Sequence, residues 1–226
     1  MRPIRLGCLS LAAAVGLMLV LPWLLADMLA GALIKLHLGA RTAGMIVLGI
    51  LAGSLVNIPV RRVVRSRLVP LDPLAVFGLH DLWPAIRRAR TETIVAVNVG
   101  GCLIPTALAL YEIGILVAQR QAIGALIVAI LVNVYVCYKL ARPVARVGIA
   151  MPGLVPPAVA ALTALIAAPA HATPVAFVAG VLGPLIGADV LHLGDVERID
   201  SGILSIGGAG TFDGILLSGI VAIYLA

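Results

Sequence analysis

Charged and aromatic residues are scarce in this sequence. Asp, Glu, Lys and Arg together make up 12% of its 226 residues, and aromatic residues make up 4%. A soluble domain of this length needs far more polar surface, whereas 62% of this chain is hydrophobic. The composition therefore excludes an ordinary soluble enzyme and predicts a polytopic membrane protein.

Cysteine is scarce as well, and several catalytic motifs are missing. The three cysteines, Cys8, Cys102 and Cys137, lie far apart in apolar segments and form no CxxC pair. This spacing supports neither a disulfide framework nor a thiolate metal site. Without an HExxH or a GxSxG stretch, neither a zinc-protease helix nor a nucleophile elbow is predicted. We expect no cofactor.

Seven apolar runs follow one another along the chain, each near the length that the hydrocarbon core of a bilayer requires. They cover residues 6–26, 42–60, 93–118, 122–138, 153–169, 174–193 and 202–226. The first run is longer than the apolar core of a typical signal peptide, so we interpret it as a membrane helix. The sequence predicts an all-α integral membrane protein, with residues 1–226 forming a single polytopic domain.

Lys and Arg are distributed unevenly between the connecting segments. If the N-terminus is cytoplasmic, 13 of the 16 Lys and Arg residues lie on the cytoplasmic side, and only Lys35, Arg41 and Arg120 lie outside. This bias predicts a cytoplasmic N-terminus, an outside C-terminus and multi-pass insertion in the cell inner membrane. Because the arginines cluster between apolar spans, the net charge of +6 does not indicate nucleic-acid binding.

The loop of residues 61–92 is the one sizeable extramembrane piece in this topology. It contains "LDPLAVFGLHDLWPAIRRAR", in which Phe77, Trp83 and Ile86 stand beside arginines. Pro84 could open a short helix there. We expect this basic segment either to lie on the anionic lipid headgroups of the cytoplasmic leaflet or to be an ordinary positive loop.

Acidic side chains inside apolar spans are costly, so each is a candidate functional group. Asp189 and Asp213 lie in the sixth and seventh spans, which form an antiparallel pair joined by "GDVERIDSG". If these carboxylates approach each other they share a proton, and one can act as base on a water while the other acts as acid toward a carbonyl. The same pair could instead carry protons or bind a cation in a transporter. Glu112, near the outer end of the third span, is expected to reach water.

The stretch "ILSIGGAG" decides whether the two acids can meet. They come to the same depth only if this segment, residues 203–210, is not a full helix. Its glycines, Gly207, Gly208 and Gly210, are poor helix formers. Irregular backbone at membrane depth must line a cavity or be buried in protein. The segment therefore predicts a hydrated pocket beside the acids.

Glycines recur at the same spacing in the sixth and seventh spans. They are Gly180, Gly183 and Gly187 in one and Gly207, Gly210 and Gly214 in the other. Small residues at such spacing allow helices to approach closely, so we expect these spans to pack together.

Asparagines form a second set of polar groups within the apolar runs. Asn98 precedes Gly100 and Gly101, which makes it the best candidate among them for lining a cavity. Asn57 and Asn133 are expected to form hydrogen bonds between helices.

A metal site is a competing interpretation of the sixth span. Asp189, His192 and Asp195 are spaced three residues apart and could share a helix edge. We favour an interfacial histidine beside a solvated carboxylate, and we expect no metal.

Three stretches, "VAVNVGGCLIP", "LIGADVLHL" and "SIGGAGTFDGILLSGIVA", resemble the recurring motifs of an uncharacterised family of prokaryotic integral membrane proteins called domain of unknown function 1614. The likeness covers most of the chain from about Asn57 onward. The resemblance implies a multi-pass membrane location and no established activity.

A looser resemblance is to the presenilin and signal-peptide-peptidase class of intramembrane aspartyl proteases, which carry one Asp on each of two adjacent antiparallel helices. It implies that Asp189 and Asp213 are the catalytic pair. The chain departs from that class, since Ala188 precedes the first acid where the class has Tyr. Gly208 and Gly210 also stand two residues further from the second acid than in Gly-x-Gly-Asp.

These observations leave three functions open. We favour an intramembrane aspartyl protease-like site formed by Asp189 and Asp213. The alternatives are a proton- or ion-coupled small-solute transporter and a non-catalytic membrane scaffold in which the acids bond to backbone groups. The lipid bilayer is the expected surrounding, and the sequence specifies neither a substrate nor an oligomeric state.

Overall fold

The computed structural model describes residues 4–71, 85–144, 148–198, 203–208 and 214–226. Within these residues the chain is mainly helical. The α-helices are α1 (Ile4–Lys35), α2 (Ala40–Gly53), α3 (Ile104–Ala118), α4 (Ile123–Leu140), α5 (Val155–Ala167), α6 (Ala172–Leu182) and α7 (Gly214–Leu225). Two π-helical segments extend them, π1 (Val99–Leu103) before α3 and π2 (Gly183–Val190) after α6. Short 3₁₀ turns occupy Pro169–His171 and Leu193–Arg198.

Among the residues that the structure describes, three helical stretches are long and apolar enough to cross a membrane. They are Val99–Ala118, Ile123–Leu140 and Pro169–Asp195. At about 1.5 Å per residue, even the shortest is about 27 Å long, close to the thickness of a bilayer core. The prediction of a helical membrane protein is therefore confirmed at this level.

Helix α6 lies at the centre of the helical part. Every residue from Val175 to Val181 is buried, and Phe177 is among the largest fully buried side chains. The helices α3, α4, α5 and α7 all contact it. A helix that is apolar on all sides is stable only when it is surrounded in this way.

Helices α6 and α7 approach each other closely, as the glycine pattern predicted, but only partly through the predicted residues. A Cβ atom on Gly180 would lie 2.9 Å from the Ser218 carbonyl oxygen of α7. A Cβ atom on Gly219 would lie 2.6 Å from Val181 of α6. The close contact therefore uses Gly180 together with Gly219, which the spacing argument did not select.

Five strands accompany the helices, so the all-α prediction is incomplete. Strands β1 (Asn57–Leu71) and β2 (Ala85–Asn98) are antiparallel, and β5 (Ile203–Ile206) pairs parallel with β2, in the order β1-β2-β5. Strands β3 (Arg142–Val144) and β4 (Gly148–Ala150) form a separate antiparallel pair. The apolar residues at the end of the second predicted span and at the start of the third belong to β1 and β2. The sequence did not reveal this, because a short apolar run alone does not distinguish a strand from a helix.

The basic loop of residues 61–92 is extended where the structure describes it, whereas a short interfacial helix was predicted there. Its described parts, residues 61–71 and 85–92, belong to β1 and β2, with Arg65 opposite Thr91. Extended strands in this register are incompatible with a helix that opens at Pro84 and continues through residue 90. Pro84, Phe77 and Trp83 themselves lie outside the described residues.

Residues 203–208, the described part of "ILSIGGAG", are not helical, as predicted for this segment. Strand β5 ends at Ile206, and the next two residues, Gly207 and Gly208, have φ angles of 87° and 71°. Only glycine adopts this region without a steric penalty from Cβ. The chain therefore turns sharply at these glycines.

A candidate site in a cavity beside Asp189

A cavity of about 620 Å³ lies between π2, β5 and the turn that follows β4. Its polar lining side chains include Asp189, Ser205 and Asn57, from π2, β5 and β1 respectively. The rest of the lining is mostly apolar and comprises Gly148, Ile149, Ala150, Met151, Gly153, Pro184, Ala188, Leu193, Leu204, Ile206, Gly208, Gly214 and Ile215. The site is an amphipathic cavity that contains a carboxylate.

The π-helical turn determines the position of Asp189. Pro184 has no N–H group, so it cannot donate the usual hydrogen bond to the carbonyl four residues earlier. The helix widens instead, and the Leu191 amide donates to the Ile186 carbonyl, five residues earlier, at 3.0 Å. Segments of this kind are frequent at functional sites. Here the wide turn leaves Asp189 half-buried at the cavity wall.

The opposite side of π2 is pressed against α4. A Cβ atom on Gly187 would collide with the Val134 carbonyl oxygen and would lie 2.8 Å from Cys137 Cβ. A Cβ atom on Gly183 would collide with the side-chain amide of Asn133, whose Nδ2 donates to the Ala179 carbonyl at 2.8 Å. The expected hydrogen bond from Asn133 between helices is therefore present, and both glycines serve contact with α4 rather than with α7.

His192 closes the far end of π2. Its Nδ1 donates to the Gly187 carbonyl at 3.1 Å, and its ring centroid lies 5.0 Å from that of Tyr138 on α4. Within the described ranges, no three His, Cys, Asp or Glu side chains gather as a metal-binding group. Asp189, His192 and Asp195 therefore do not form the ligand set that their spacing suggested.

A chain of side-chain hydrogen bonds holds the polar wall of the cavity. Ser205 Oγ donates to Asn57 Oδ1 at 2.7 Å, and Asn98 Nδ2 donates to the same oxygen at 3.2 Å. Asn98 Nδ2 also donates to the Ser54 carbonyl at 2.8 Å. These bonds fix the ends of β1, β2 and β5 relative to one another and orient Asn57 at the cavity.

Asn98 itself is buried and caps π1. Its Oδ1 accepts a hydrogen bond from the Gly101 amide at 2.7 Å, as an N-terminal cap does. It is not among the cavity-lining residues and touches the cavity only through Asn57. Asn98 therefore supports the cavity-lining residue Asn57 and does not line the cavity itself.

Two glycines allow π1 to lie deep among its neighbours. A Cβ atom on Gly100 would lie 2.5 Å from the Ser54 amide nitrogen and would collide with the Ile50 carbonyl oxygen. A Cβ atom on Gly207 would lie 2.5 Å from Cys102 Cβ. These contacts place β5, and with it the cavity wall, directly against π1.

Two of the predicted site residues, Asp213 and Gly210, lie outside the described residues. The glycines on either side of that segment, Gly208 and Gly214, both line the cavity that contains Asp189. Among the described residues, a Cβ atom on Gly214 would meet only Met151 Cε, at 3.9 Å.

Glu112 differs from the expectation that it reaches water. Its side chain is only 4% exposed, on the same buried face of α3 as Ala109 and Leu116. Its Oε1 is buried without a hydrogen-bond partner among the described residues. Burial follows because α3 packs against the central helix α6, a contact that helix spacing alone did not reveal.

Ser205 and Met151 were not identified from the sequence, although both line the cavity. Ser205 stands in an apolar strand, and its partner Asn57 is 148 positions away. Only the parallel pairing of β5 with β2 brings these two residues together. No local signal could have predicted their contact.

The family model "Protein of unknown function (DUF1614)" matches residues 51–225, and the chain belongs to this family. No curated protein and no solved structure matches the chain. The resemblance to presenilin and signal-peptide peptidase therefore gains no support from these comparisons.

Proposed function

We propose that this DUF1614 member is a multi-pass inner-membrane protein whose functional site is the cavity beside Asp189, where Asp189 and Asp213 act as an acid–base pair that hydrolyses peptide bonds. One observation carries the proposal. The cavity is lined both by Asp189 and by Gly208 and Gly214, the residues on either side of the segment that contains Asp213.

Covalent connectivity supports the pairing. Asp213 is bonded to Gly214, and consecutive Cα atoms are about 3.8 Å apart. Because Gly214 lines the cavity, Asp213 is attached directly to its wall. Asp189 contributes the other carboxylate from π2, and we propose that the two acids meet in this cavity.

The chemistry requires one protonated and one ionised carboxyl group. Two carboxylates that approach each other share a proton, because the double negative charge is unfavourable. The ionised group removes a proton from a water molecule as the water oxygen attacks the peptide carbonyl carbon. The protonated group donates its proton to the carbonyl oxygen, and the C–N bond then breaks as the nitrogen takes up a proton.

The composition of the cavity suits a peptide from a membrane segment. Its volume of about 620 Å³ falls within the usual range for ligand pockets, about 300–1,000 Å³. Leu204, Ile206 and Met151 offer apolar contacts for side chains, while Ser205 and Asn57 offer hydrogen bonds for a main chain. An apolar lining with a few placed polar groups is typical of specific binding sites.

A second function, proton- or ion-coupled transport, is favoured by one feature. The helix that begins at Ala172 changes from α to π geometry at Gly183, and the π-helical segment contains Asp189. Interrupted helices that expose polar groups are typical of substrate and ion sites in transporters. Transport predicts proton or ion flux that depends on Asp189 without any cleavage.

Reconstituted vesicles test both functions. Peptide cleavage and proton flux are measured for the wild type, Asp189→Asn and Asp213→Asn. The protease proposal expects each substitution to reduce cleavage by at least about 100-fold, the usual contribution of a general acid or base. The matched control is Asp27→Asn, which changes an exposed carboxyl group on α1 in the same way and should leave cleavage intact.

The results distinguish the alternatives. Cleavage that survives both Asp189→Asn and Asp213→Asn contradicts the protease. Flux lost in Asp189→Asn, with no cleavage in the wild type, favours the transporter. A wild-type protein without cleavage or flux, whose stability falls in both variants, favours the scaffold.

We also propose that the base of the β1–β2 hairpin contacts anionic lipid headgroups. Arg61 and Arg62 are exposed, and they directly follow the exposed apolar residues Ile58 and Val60. An apolar stretch that leads into arginines suits a membrane surface, where each basic residue contributes about 1 kcal/mol toward anionic lipid. Phosphatidylglycerol should raise the Tm more than phosphatidylcholine does.

A paired substitution tests this contact. The variant R61Q/R62Q should lose most of the stabilisation by phosphatidylglycerol. The control R41Q/R120Q removes two other exposed arginines and should retain it. Equal loss in both variants would indicate a general charge effect and contradict the proposal.

A further inference from the structure

Glu112 lies apart from the Asp189 cavity and inside a membrane-spanning stretch. The stretch Val99–Ala118 is one of those long and apolar enough to cross a bilayer. Glu112 is six residues from its end, about 9 Å along a helix. Its side chain is 96% buried by protein, and Oε1 has no hydrogen-bond partner among the described residues.

Among the described residues, the elements that pack most extensively against α3 offer Glu112 no counter-ion. Helix α6, its main partner, has no ionisable side chain between Ala172 and Leu182. The other contacting elements each hold one such residue: Cys102 in π1, Arg41 in α2 and Tyr224 in α7. Arg41 is exposed in the first turn of α2, and the Tyr224 hydroxyl donates to the Met28 carbonyl. On α3 itself, Tyr111 is exposed.

A carboxylate in such surroundings is costly in its charged form. An isolated ionised carboxyl group in an apolar medium is so unfavourable that it becomes neutral instead. Acidic residues within membrane spans accordingly mark proton pathways, ion sites or paired charges. With no cation on α6, pairing does not account for Glu112.

We propose that Glu112 is a proton-binding site in the membrane-spanning part of the protein, separate from the cavity beside Asp189. In the packed state the carboxyl group holds its proton. Release of that proton requires water or a cation to reach Glu112, and therefore requires α3 to separate from α6. Proton binding at Glu112 is thus coupled to the packing of these two helices.

The experiment uses the full-length protein in lipid nanodiscs. The C=O stretch of protonated carboxyl groups is recorded by infrared spectroscopy for the wild type, Glu112→Gln and the control Asp27→Asn. We expect Glu112→Gln to remove one component of this band, distinct from any contribution of the Asp189–Asp213 pair, and Asp27→Asn to leave the band unchanged. Dicyclohexylcarbodiimide, an apolar reagent that modifies protonated carboxyl groups, should label Glu112 and leave Asp27 unlabelled, as located by mass spectrometry.

A second variant keeps the test decisive if the amide does not fold. Glu112→Asp retains a carboxyl group on a shorter side chain, and should keep the infrared band at a shifted frequency together with weaker labelling. The proposal is overturned if the wild type is unlabelled at Glu112 and loses only a carboxylate band on substitution. Labelling of Asp27 and Glu112 to the same extent would also contradict it, because burial would then confer no distinct protonation.

Discussion

The two sides of the helical segment Ala172–Val190 are built in opposite ways. One side is pressed against α7 and α4 through Gly180, Gly183 and Gly187, where an added methyl group would meet backbone or side-chain atoms. The other side opens at Asp189 into a cavity of about 620 Å³. The difference shows how a membrane helix can be fixed rigidly along one face while it holds a carboxylate in an open space on the other.

The largest effect should come from filling the packed side. In Gly187→Ala, the new Cβ atom would collide with the Val134 carbonyl oxygen, and backbone atoms of a membrane helix cannot move away easily. We expect a loss of about 3 kcal/mol in the free energy of unfolding, measured in mixed detergent micelles. The control is Gly153→Ala on the cavity side, where an added Cβ meets nothing within 4 Å. Equal losses of stability in the two variants would contradict the claim that one side of the segment is tightly packed while the other is open.

A smaller loss of stability is expected on substitution of Gly183, and its size should depend on the side chain at position 133. The atoms that an added Cβ would meet all belong to Asn133, so Gly183→Ala should destabilise the protein by about 2 kcal/mol. Asn133→Ala removes the hydrogen bond to the Ala179 carbonyl and should cost about 1 kcal/mol. The double variant should be more stable than the sum of the two losses predicts, because the shortened side chain makes room. Strict additivity in these unfolding measurements would show that the contact is not direct.

The smallest effect should arise on the open side. Ser205→Ala removes the hydrogen bond to Asn57 Oδ1, which still accepts from Asn98. Because Asn57 Oδ1 keeps one hydrogen-bond donor, the stability should fall by less than about 1 kcal/mol. Peptide cleavage in vesicles should nevertheless decline, since Asn57 loses one of the groups that orient it. Full activity in Ser205→Ala would show that the hydrogen bond between Ser205 and Asn57 plays no part in cleavage.

The sequence predicted the helices well where apolar runs are long. Helices α3 to α6 overlap the third to sixth predicted spans, because about 20 apolar residues satisfy both a bilayer and a helix. The sheet was not predicted, since the pairing of Asn57 with Asn98 joins residues 41 positions apart. Valines are frequent in β1, which is a strand signal, but the surrounding arginines were interpreted as a topological marker and as a loop facing lipid headgroups.

The candidate site was predicted in part. Acids in an apolar chain identified Asp189, and the glycines before Asp213 correctly indicated a break in the helix. The partners of the glycines could not be derived, because spacing shows that a close approach is possible without showing which helix makes it. Gly183 and Gly187 therefore turned out to face α4.

The proximity of Asp189 and Asp213 is the central claim, and cross-linking measures it directly. In a protein whose native cysteines are replaced, Asp189→Cys and Asp213→Cys are combined and treated with a bis-thiosulfonate reagent about 5 Å long, the spacing that paired carboxyl chemistry requires. The positive control combines Asn57→Cys with Ser205→Cys, whose native side chains lie 2.7 Å apart. The account predicts efficient intramolecular cross-linking in both pairs. Cross-linking of the control pair alone would contradict it.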